Sequence, residues 1–206
     1  MATITKTIGE SLDYESRMRI FEREFHPLFG GLYAFAYRLT NDGTAAEDLV
    51  QDALLKAWNS IDSYLPNTNA KAWLYTICRN AFINGCRATA RKPKITDFAE
   101  VVATHHEDEI ERTNFSEMHE DLYFRLLGDE VTNALSLLNA EQRVAVLLEL
   151  EDFTYEEIAA IMDCPIGTVR SRLSRGRDAL KEKLYQYALS QGYIGRQTDG
   201  DKRMPA

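Results

Sequence analysis

An all-α fold, two small helical domains joined by a flexible acidic linker, is what this sequence predicts, on three observations. Strand signals are nearly absent across the 206 residues. Apolar residues recur at helical period in blocks opened by capping residues and closed by Asn, Gly or Pro. Charge is segregated: from Asp97 to Glu130 eleven acids stand against Arg112 and Arg125, so that segment carries −9 in a chain of net charge −8. The flanking stretches are basic. Lys71 to Lys94 holds six basic residues and no acid, and Pro165 to Arg177 holds four arginines and no acid. Such asymmetry suits separate partners or an internal mask. The expected divisions are a domain at 13–95, a linker at 96–128, a second domain at 129–190 and a disordered tail at 191–206.

In the first domain, Phe21, Phe25, Leu28, Phe29, Leu32, Phe35 and Ala36 mark an aromatic-rich helix, with a bend expected near Gly30-Gly31. Asn41-Asp42-Gly43 is a turn. Thr44 and Glu47 have the spacing of a capping box, opening a helix whose buried side is Leu49, Ala53, Leu54, Ala57, Trp58 and Ile61. Tyr64 to Asn69 is a loop broken by Pro66. A third helix, about Ala70 to Arg87, places Leu74, Ile77 and Ala81 inside, Tyr75 and Arg79 pointing away, and Trp73 and Asn80 on the flanks. The linker has little apolar periodicity beyond a short helical pattern at Leu122 to Leu127. A flexible chain of about thirty residues spans many arrangements at ~5–6 Å × √n, so the domains need not be fixed relative to each other.

The second domain begins with Val131 to Leu138, and Asn139 caps the next helix, Ala140 to Leu150. Thr154 and Glu157 form a capping box for a helix buried through Ile158, Ile161 and Met162. Asp163-Cys164-Pro165 is a tight turn, with Pro165 suited to the first position of the last helix. There Ile166, Val169, Leu173, Gly176, Leu180 and Leu184 share one face. Ser171, Ser174 and Arg175 lie opposite, flanked by Arg170, Arg172 and Arg177. A helix-turn-helix whose second helix is apolar inside and cationic outside suits a DNA major groove.

Two further constellations carry chemistry. Asp48, Gln51 and Asp52 cluster on the polar side of the second helix; carboxylates without an adjacent base suit a basic docking partner, although taken alone an ordinary solvated face is the commoner reason for such a cluster. On the third helix, aromatics interleave with cationic and amide side chains, as single-stranded nucleic acid requires: bases stack and Lys/Arg follow phosphates. The bland alternative is that Trp73 and Phe82 are core aromatics. Other classes find less support. His105, His106 and His119 lie among acids in the linker without fixed ligand spacing, so no metal site is assigned. Neither a phosphate-binding glycine loop nor a nucleophile motif is present, so no catalytic residue is named. Three cysteines (Cys78, Cys86 and Cys164) without a Cys-x-x-Cys pair point to a reducing, cytoplasmic setting. No apolar run approaches the ~20 residues of a membrane span, and the N-terminus lacks a signal-peptide core.

The three motifs Asp48-Leu-Val-Gln-Asp52-Ala-Leu-Leu-Lys-Ala-Trp58, Ala72-Trp-Leu-Tyr-Thr-Ile-Cys-Arg-Asn80 and Tyr155 to Arg172 resemble, in order, those of the extracytoplasmic-function (ECF) sigma factors, a branch of the sigma-70 family. The resemblance covers roughly 15–95 and 129–190. It implies a non-enzymatic, cofactor-free subunit that binds core RNA polymerase and directs it to promoters, in the cytoplasm at the nucleoid. The implied contacts are a coiled coil of the largest subunit and the flap of the second-largest. By the same resemblance Asp48, Gln51 and Asp52 dock polymerase. Asn67, Thr68 and Asn69, with Lys71, Trp73, Arg79 and Asn80, capture the melted minus-ten element. Arg170, Ser171, Ser174 and Arg175 read the minus-thirty-five element, Ser171 and Arg175 being the most outward. Asn80-Ala-Phe-Ile-Asn, Arg91-Lys-Pro and Tyr187 to Gly192 resemble a narrower subgroup, held inactive by redox-sensitive zinc anti-sigma factors that would cover both domains. The rival reading is a helix-turn-helix regulator with an unrelated sensor domain. It would need neither the basic-aromatic helix nor the cluster at 48–52.

Overall fold

A computed structural model describes residues 12–91, 129–190 and 192, and its regular elements are all helical. The acidic linker, the helical pattern at 122–127, His105, His106, His119 and the tail from 193 lie outside the described residues. Helix α1 (Tyr14–Ile20) is capped by Asp13, whose Oδ1 accepts from Ser16 N at 3.0 Å. It runs into a wide π turn (Phe21–Phe25) and a tight 3₁₀ turn (His26–Leu28) before α2 (Phe29–Thr40) begins. The irregularity expected at Gly30-Gly31 therefore falls at Phe21 to Leu28, because Pro27 has no N–H to continue the helical ladder. Gly31 has a different reason: a Cβ there would sit 3.1 Å from the Tyr75 hydroxyl.

Asn41 closes α2 in the left-handed conformation at φ 57°. The cap of α3 (Gly43–Asn59) is Asp42, whose Oδ1 accepts from Ala45 N at 2.7 Å, and Thr44 lies inside the first turn. The capping box expected at Thr44 does not form. The helix starts two residues earlier, at Gly43, so Asp42 stands at the cap position and its carboxylate satisfies an orphan amide. After a 3₁₀ turn (Ile61–Ser63) and a loop comes α4 (Ala70–Arg91), one turn longer than its apolar periodicity suggested.

In the second half come α5 (Asp129–Ser136), α6 (Ala140–Leu150), α7 (Tyr155–Met162) and α8 (Ile166–Ser190). Asn139 caps α6, and the Thr154–Glu157 box is satisfied in both directions. Pro165 sits one residue earlier than expected, as the cap whose carbonyl accepts from Thr168 and Val169. Val144, Leu147, Leu148, Ile158, Ile161, Val169 and Leu173 are buried together. Gly176 lets α8 lie close against α6, since a Cβ would lie 2.8 Å from Val146 Cγ2. Gly176→Val should lower stability by about 1–3 kcal/mol, the cost of overpacking. Urea unfolding checks this, through a lowered midpoint at an unchanged slope.

The two halves pack against each other. Helix α2 packs on α5 and α6, and α4 packs on α6 and α7. Buried residues form one continuous cluster from Phe35 and Tyr75 to Leu147 and Phe153. In this arrangement the second half covers the side of α4 that its wheel placed outward.

Candidate nucleic-acid interface

Helix α3 turns Ala46, Val50, Ala53 and Ala57 inward, which leaves Asp48, Gln51 and Asp52 exposed together on the opposite side. Asp52 is not without a base. Lys56, one turn on, donates to its carboxylate. Leu55 is 63% exposed, at i+4 from Gln51 and i+3 from Asp52, so it joins the same face. Sequence reasoning did not single out this exposed leucine amid charge, although its spacing from the cluster was readable.

The loop between α3 and α4 is held by side chains from elsewhere. Tyr64 is buried, its ring 5.0 Å from Phe25 and 5.1 Å from Trp73. Trp73 also lies 5.3 Å from Phe25, so it is a half-buried member of an aromatic cluster. Asn67 is exposed with φ 63°, a left-handed position that Asn tolerates. The Thr68 hydroxyl donates to Leu65 O at 2.6 Å. Asn69 Oδ1 accepts from Ala72 N at 2.9 Å and so caps α4.

The outward face of α4 meets the second half. Tyr75, expected to point away from the core, is 1% exposed, and Arg79 is 9% exposed. Both do point away from the first half's interior, and α6 and α7 bury them from the other side. At the centre is Glu151, which ends α6. Its Oε2 accepts from Tyr75 Oη at 2.9 Å and lies 3.3 Å from Lys71 Nζ, while Oε1 lies 3.7 Å from Arg38. Lys71 Nζ also donates to the Glu151 carbonyl at 2.7 Å, a cation at a helix C-terminus. The same ammonium lies 4.9 Å from the centre of the Phe153 ring. Asn69 Nδ2 donates to Glu157 at 2.7 Å.

Glu141 joins the two cationic helices. Its Oε2 is 3.3 Å from Arg79 of α4 and 3.4 Å from Arg172 of α8. Arg79 Nη1 also donates to Oδ1 of the exposed Asn80 at 2.9 Å. Beyond them Arg143 donates to the carbonyls of Leu39, Ser136 and Leu138, and burial pushes its guanidinium pKa down. Sequence reasoning missed Glu141, Glu151, Arg38 and Arg143, because each acts across the two halves.

On α8, Arg170, Ser174 and Arg175 are exposed on the side away from Val169 and Leu173. Ser171 is half-buried, with its hydroxyl donating to Thr168 O at 2.9 Å. It is not among the outermost residues, since a helical serine readily turns back on the preceding turn. Arg177 pairs with Glu149 and Tyr155, which removes it from the free cationic face. Burial, with a smaller contribution from Asp52, pushes the Cys78 thiol up to about 12, which leaves it inert. Among the described residues no group of His, Cys, Asp and Glu could hold a metal ion, and no helix is long and apolar enough to cross a membrane.

Comparison with known proteins places these faces in a family. The family models for Sigma-70 region 2 and Sigma-70, region 4 match residues 25–92 and 128–180. The ECF RNA polymerase sigma factor EcfG of Rhodopseudomonas palustris is 37% identical over 155 residues, 75% of this chain and 79% of the relative. The ECF RNA polymerase sigma-E factor of Escherichia coli K12 is 36% identical over 138 residues, 66% of this chain and 72% of the relative. Among solved structures, the sigma factor RpoE of Bartonella quintana, in complex with the anti-sigma factor NepR, matches with a TM-score of 0.60 and 37% identity. That match covers 80% of this chain and 96% of the other. CnrH, solved with the cytosolic domain of CnrY, is 18% identical at a TM-score of 0.50 and shares the fold alone. A region 2 half and a region 4 half, in the order the motifs required and with relatives matched over most of their length, make this chain a member of the ECF sigma factors of the sigma-70 family, the transcription initiation factors of RNA polymerase.

Proposed function

We propose that this non-catalytic subunit divides promoter recognition between its halves and passes through a closed state in which one half covers the other. Asp48, Gln51 and Asp52, with Leu55 beside them, dock core polymerase. The loop at Asn67, Thr68 and Asn69, with Lys71, Trp73, Arg79 and Asn80, takes the opened minus-ten strand. Arg170, Ser174 and Arg175 read the minus-thirty-five element from the major groove, with Ser171 supporting the helix more than touching bases. The observation that carries this division is α8, a helix buried on one side by a helix-turn-helix partner and cationic and exposed on the other. Arg175→Ala should cost about 1–3 kcal/mol at the upstream element and relax its sequence preference. Asn80→Ala should instead impair strand opening and leave upstream duplex binding in place. Permanganate footprinting with run-off transcription checks both; normal opening by the Asn80 variant would remove α4 from the melting role.

Distance separates the closed state from the working one. Two promoter elements about 25 base pairs apart lie about 85 Å apart on a duplex rising ~3.4 Å per pair. Here one carboxylate, Glu141, touches both Arg79 and Arg172. The halves therefore have to part before both elements are held, and the region 4 acids that pair with Asn69, Lys71 and Arg79 occupy the groups that would meet phosphates.

A partner that binds the halves while they are together keeps the factor off promoters. We assign that role to an anti-sigma factor, the kind of protein with which the Bartonella relative was solved. In the narrower resemblance the partner carries the zinc and senses redox state. The burial of Cys78, with its raised thiol pKa, supports leaving that chemistry to the partner. A cytoplasmic place, at the nucleoid, follows from acting on polymerase and promoter DNA.

A further inference from the structure

The loop that faces the minus-ten strand is shaped by a residue more than forty positions away. Glu24, in the π turn after α1, has a side chain only 9% exposed and directs its carboxylate into the loop. There it accepts the Tyr64 hydroxyl, and the Asn67 backbone N–H lies 3.1 Å from Oε2 and 3.3 Å from Oε1. Arg23 completes the set: its Nη2 lies 2.5 Å from Glu24 Oε1 and donates to Asn67 Oδ1 at 3.3 Å. The chain on either side of these contacts is already fixed. Tyr64 is wedged between Phe25 and Trp73, and Asn69 caps α4. Glu24 thus holds the midpoint of a short loop whose ends are anchored, at the one residue in left-handed conformation.

We propose that Glu24 is a positioning residue for minus-ten recognition: by holding the Tyr64 hydroxyl and the Asn67 amide it fixes the loop in the shape that receives a base from the opened strand. The inference rests on the assignment of this loop to the minus-ten element, and it adds a residue outside every motif that carries the family resemblance. Its logic is preorganisation. A loop that must find its shape after meeting DNA spends part of its binding energy on ordering, whereas a braced loop does not. Both groups are in the protonation state the brace needs. Burial pushes the Glu24 carboxyl pKa up, but hydrogen bonds from Tyr64, Arg23 and the Asn67 amide outweigh it, so it lies below the ordinary value. The Tyr64 phenol is raised to about 12, by burial first and by Glu24 second, so it remains a donor. An ionised acceptor also makes these bonds stronger than neutral ones.

The test compares wild type, Glu24→Ala, Glu24→Gln and Tyr64→Phe, each assembled with core polymerase on a promoter library randomised at the minus-ten element. Tyr64→Phe keeps the ring between Phe25 and Trp73 and removes the hydroxyl that bonds Glu24 and also meets Thr68, so it reports on the braced loop even if the alanine variant folds poorly. Discrimination at the minus-ten positions should fall about ten- to a hundredfold in Glu24→Ala, the range that hydrogen bonds to a charged acceptor are worth. It should fall less in Glu24→Gln and Tyr64→Phe, while core affinity and minus-thirty-five preference stay at wild-type values. Full minus-ten discrimination in Glu24→Ala, or in both milder variants when Glu24→Ala is unfolded, overturns the proposal. Parallel loss of core affinity and of both preferences in all three variants also overturns it, since Glu24 would then be structural only. Should wild type itself show no minus-ten preference, the assignment of the loop fails, and that is a different result from a braced loop proving unnecessary.

Discussion

Replacing Glu151 by Ala should part the two halves of the free protein while each keeps its helices. Glu151 is the largely buried acceptor shared by Tyr75, Lys71 and Arg38, and the Arg38 and Glu151 side chains are only 12% and 14% exposed. Removing one partner of a buried ion pair costs about 3–5 kcal/mol, because the other charge is left without compensation. Lys71 is partly open to solvent and can rehydrate, so the lower end applies. The halves can also avoid the penalty by separating, which rehydrates Arg38 as well. A shift of about 3 kcal/mol moves the closed-to-open ratio roughly 150-fold. Small-angle scattering should show a larger radius of gyration, and a single-stranded minus-ten oligonucleotide should bind the free variant more tightly than wild type. Glu151→Gln, which keeps the Tyr75 acceptor and loses the charge, should fall between them. Unchanged scattering with unchanged oligonucleotide affinity would show that Glu151 does not hold the halves together.

The second large effect lies on the opposite surface. Gln51→Ala with Asp52→Ala should weaken binding to core polymerase by about 1–3 kcal/mol, the range of interface hot spots, and leave helicity unchanged. Neither side chain covers core: both are exposed, and the buried side of α3 is Ala46, Val50, Ala53 and Ala57. Asp52 is already paired with Lys56, so part of its cost in the complex is the breaking of an exposed pair, itself worth little. Leu55→Ala belongs in the same series. A core-binding titration reads all three, and wild-type affinity in the double variant would contradict the docking assignment.

What could be read from the sequence was what neighbours in sequence decide. The Thr154–Glu157 box, the Asn139 cap and the buried faces of α7 and α8 depend on spacings of three and four, and they stand where those spacings put them. Helix α3 buries Ala53 and Ala57 as expected, but Ala46 and Val50 as well, while Leu49, Leu54 and Trp58 are only half-buried. Misplaced features involve competition over a few residues. Asp42 rather than Thr44 caps α3, and Pro27 rather than the glycines broke the first helical run. The larger error concerned Tyr75 and Arg79. The helical wheel placed them on the outside of α4, correctly for the first half alone, but could not say that a second half covers that side. No local pattern marks Glu24, Glu141, Glu151 or Arg143 as special. Each is an ordinary charged residue on an amphipathic helix or turn, and its role arises from a partner dozens of positions away. The residues proposed for recognition come from the motifs; the contacts that pair Asn69, Lys71 and Arg79 with the second half were not legible there.

Energy transfer between dyes on α4 and α8 tests the central claim most directly. Asn84 and Asp178 are exposed positions outside the contacts described, and with Cys86 and Cys164 replaced by serine they can carry the two labels. Transfer should be efficient in the free chain, where one carboxylate bridges the two helices, and should collapse in the promoter-bound holoenzyme, where the helices sit on elements about 85 Å apart. Equal transfer in the free chain and on the promoter would contradict it.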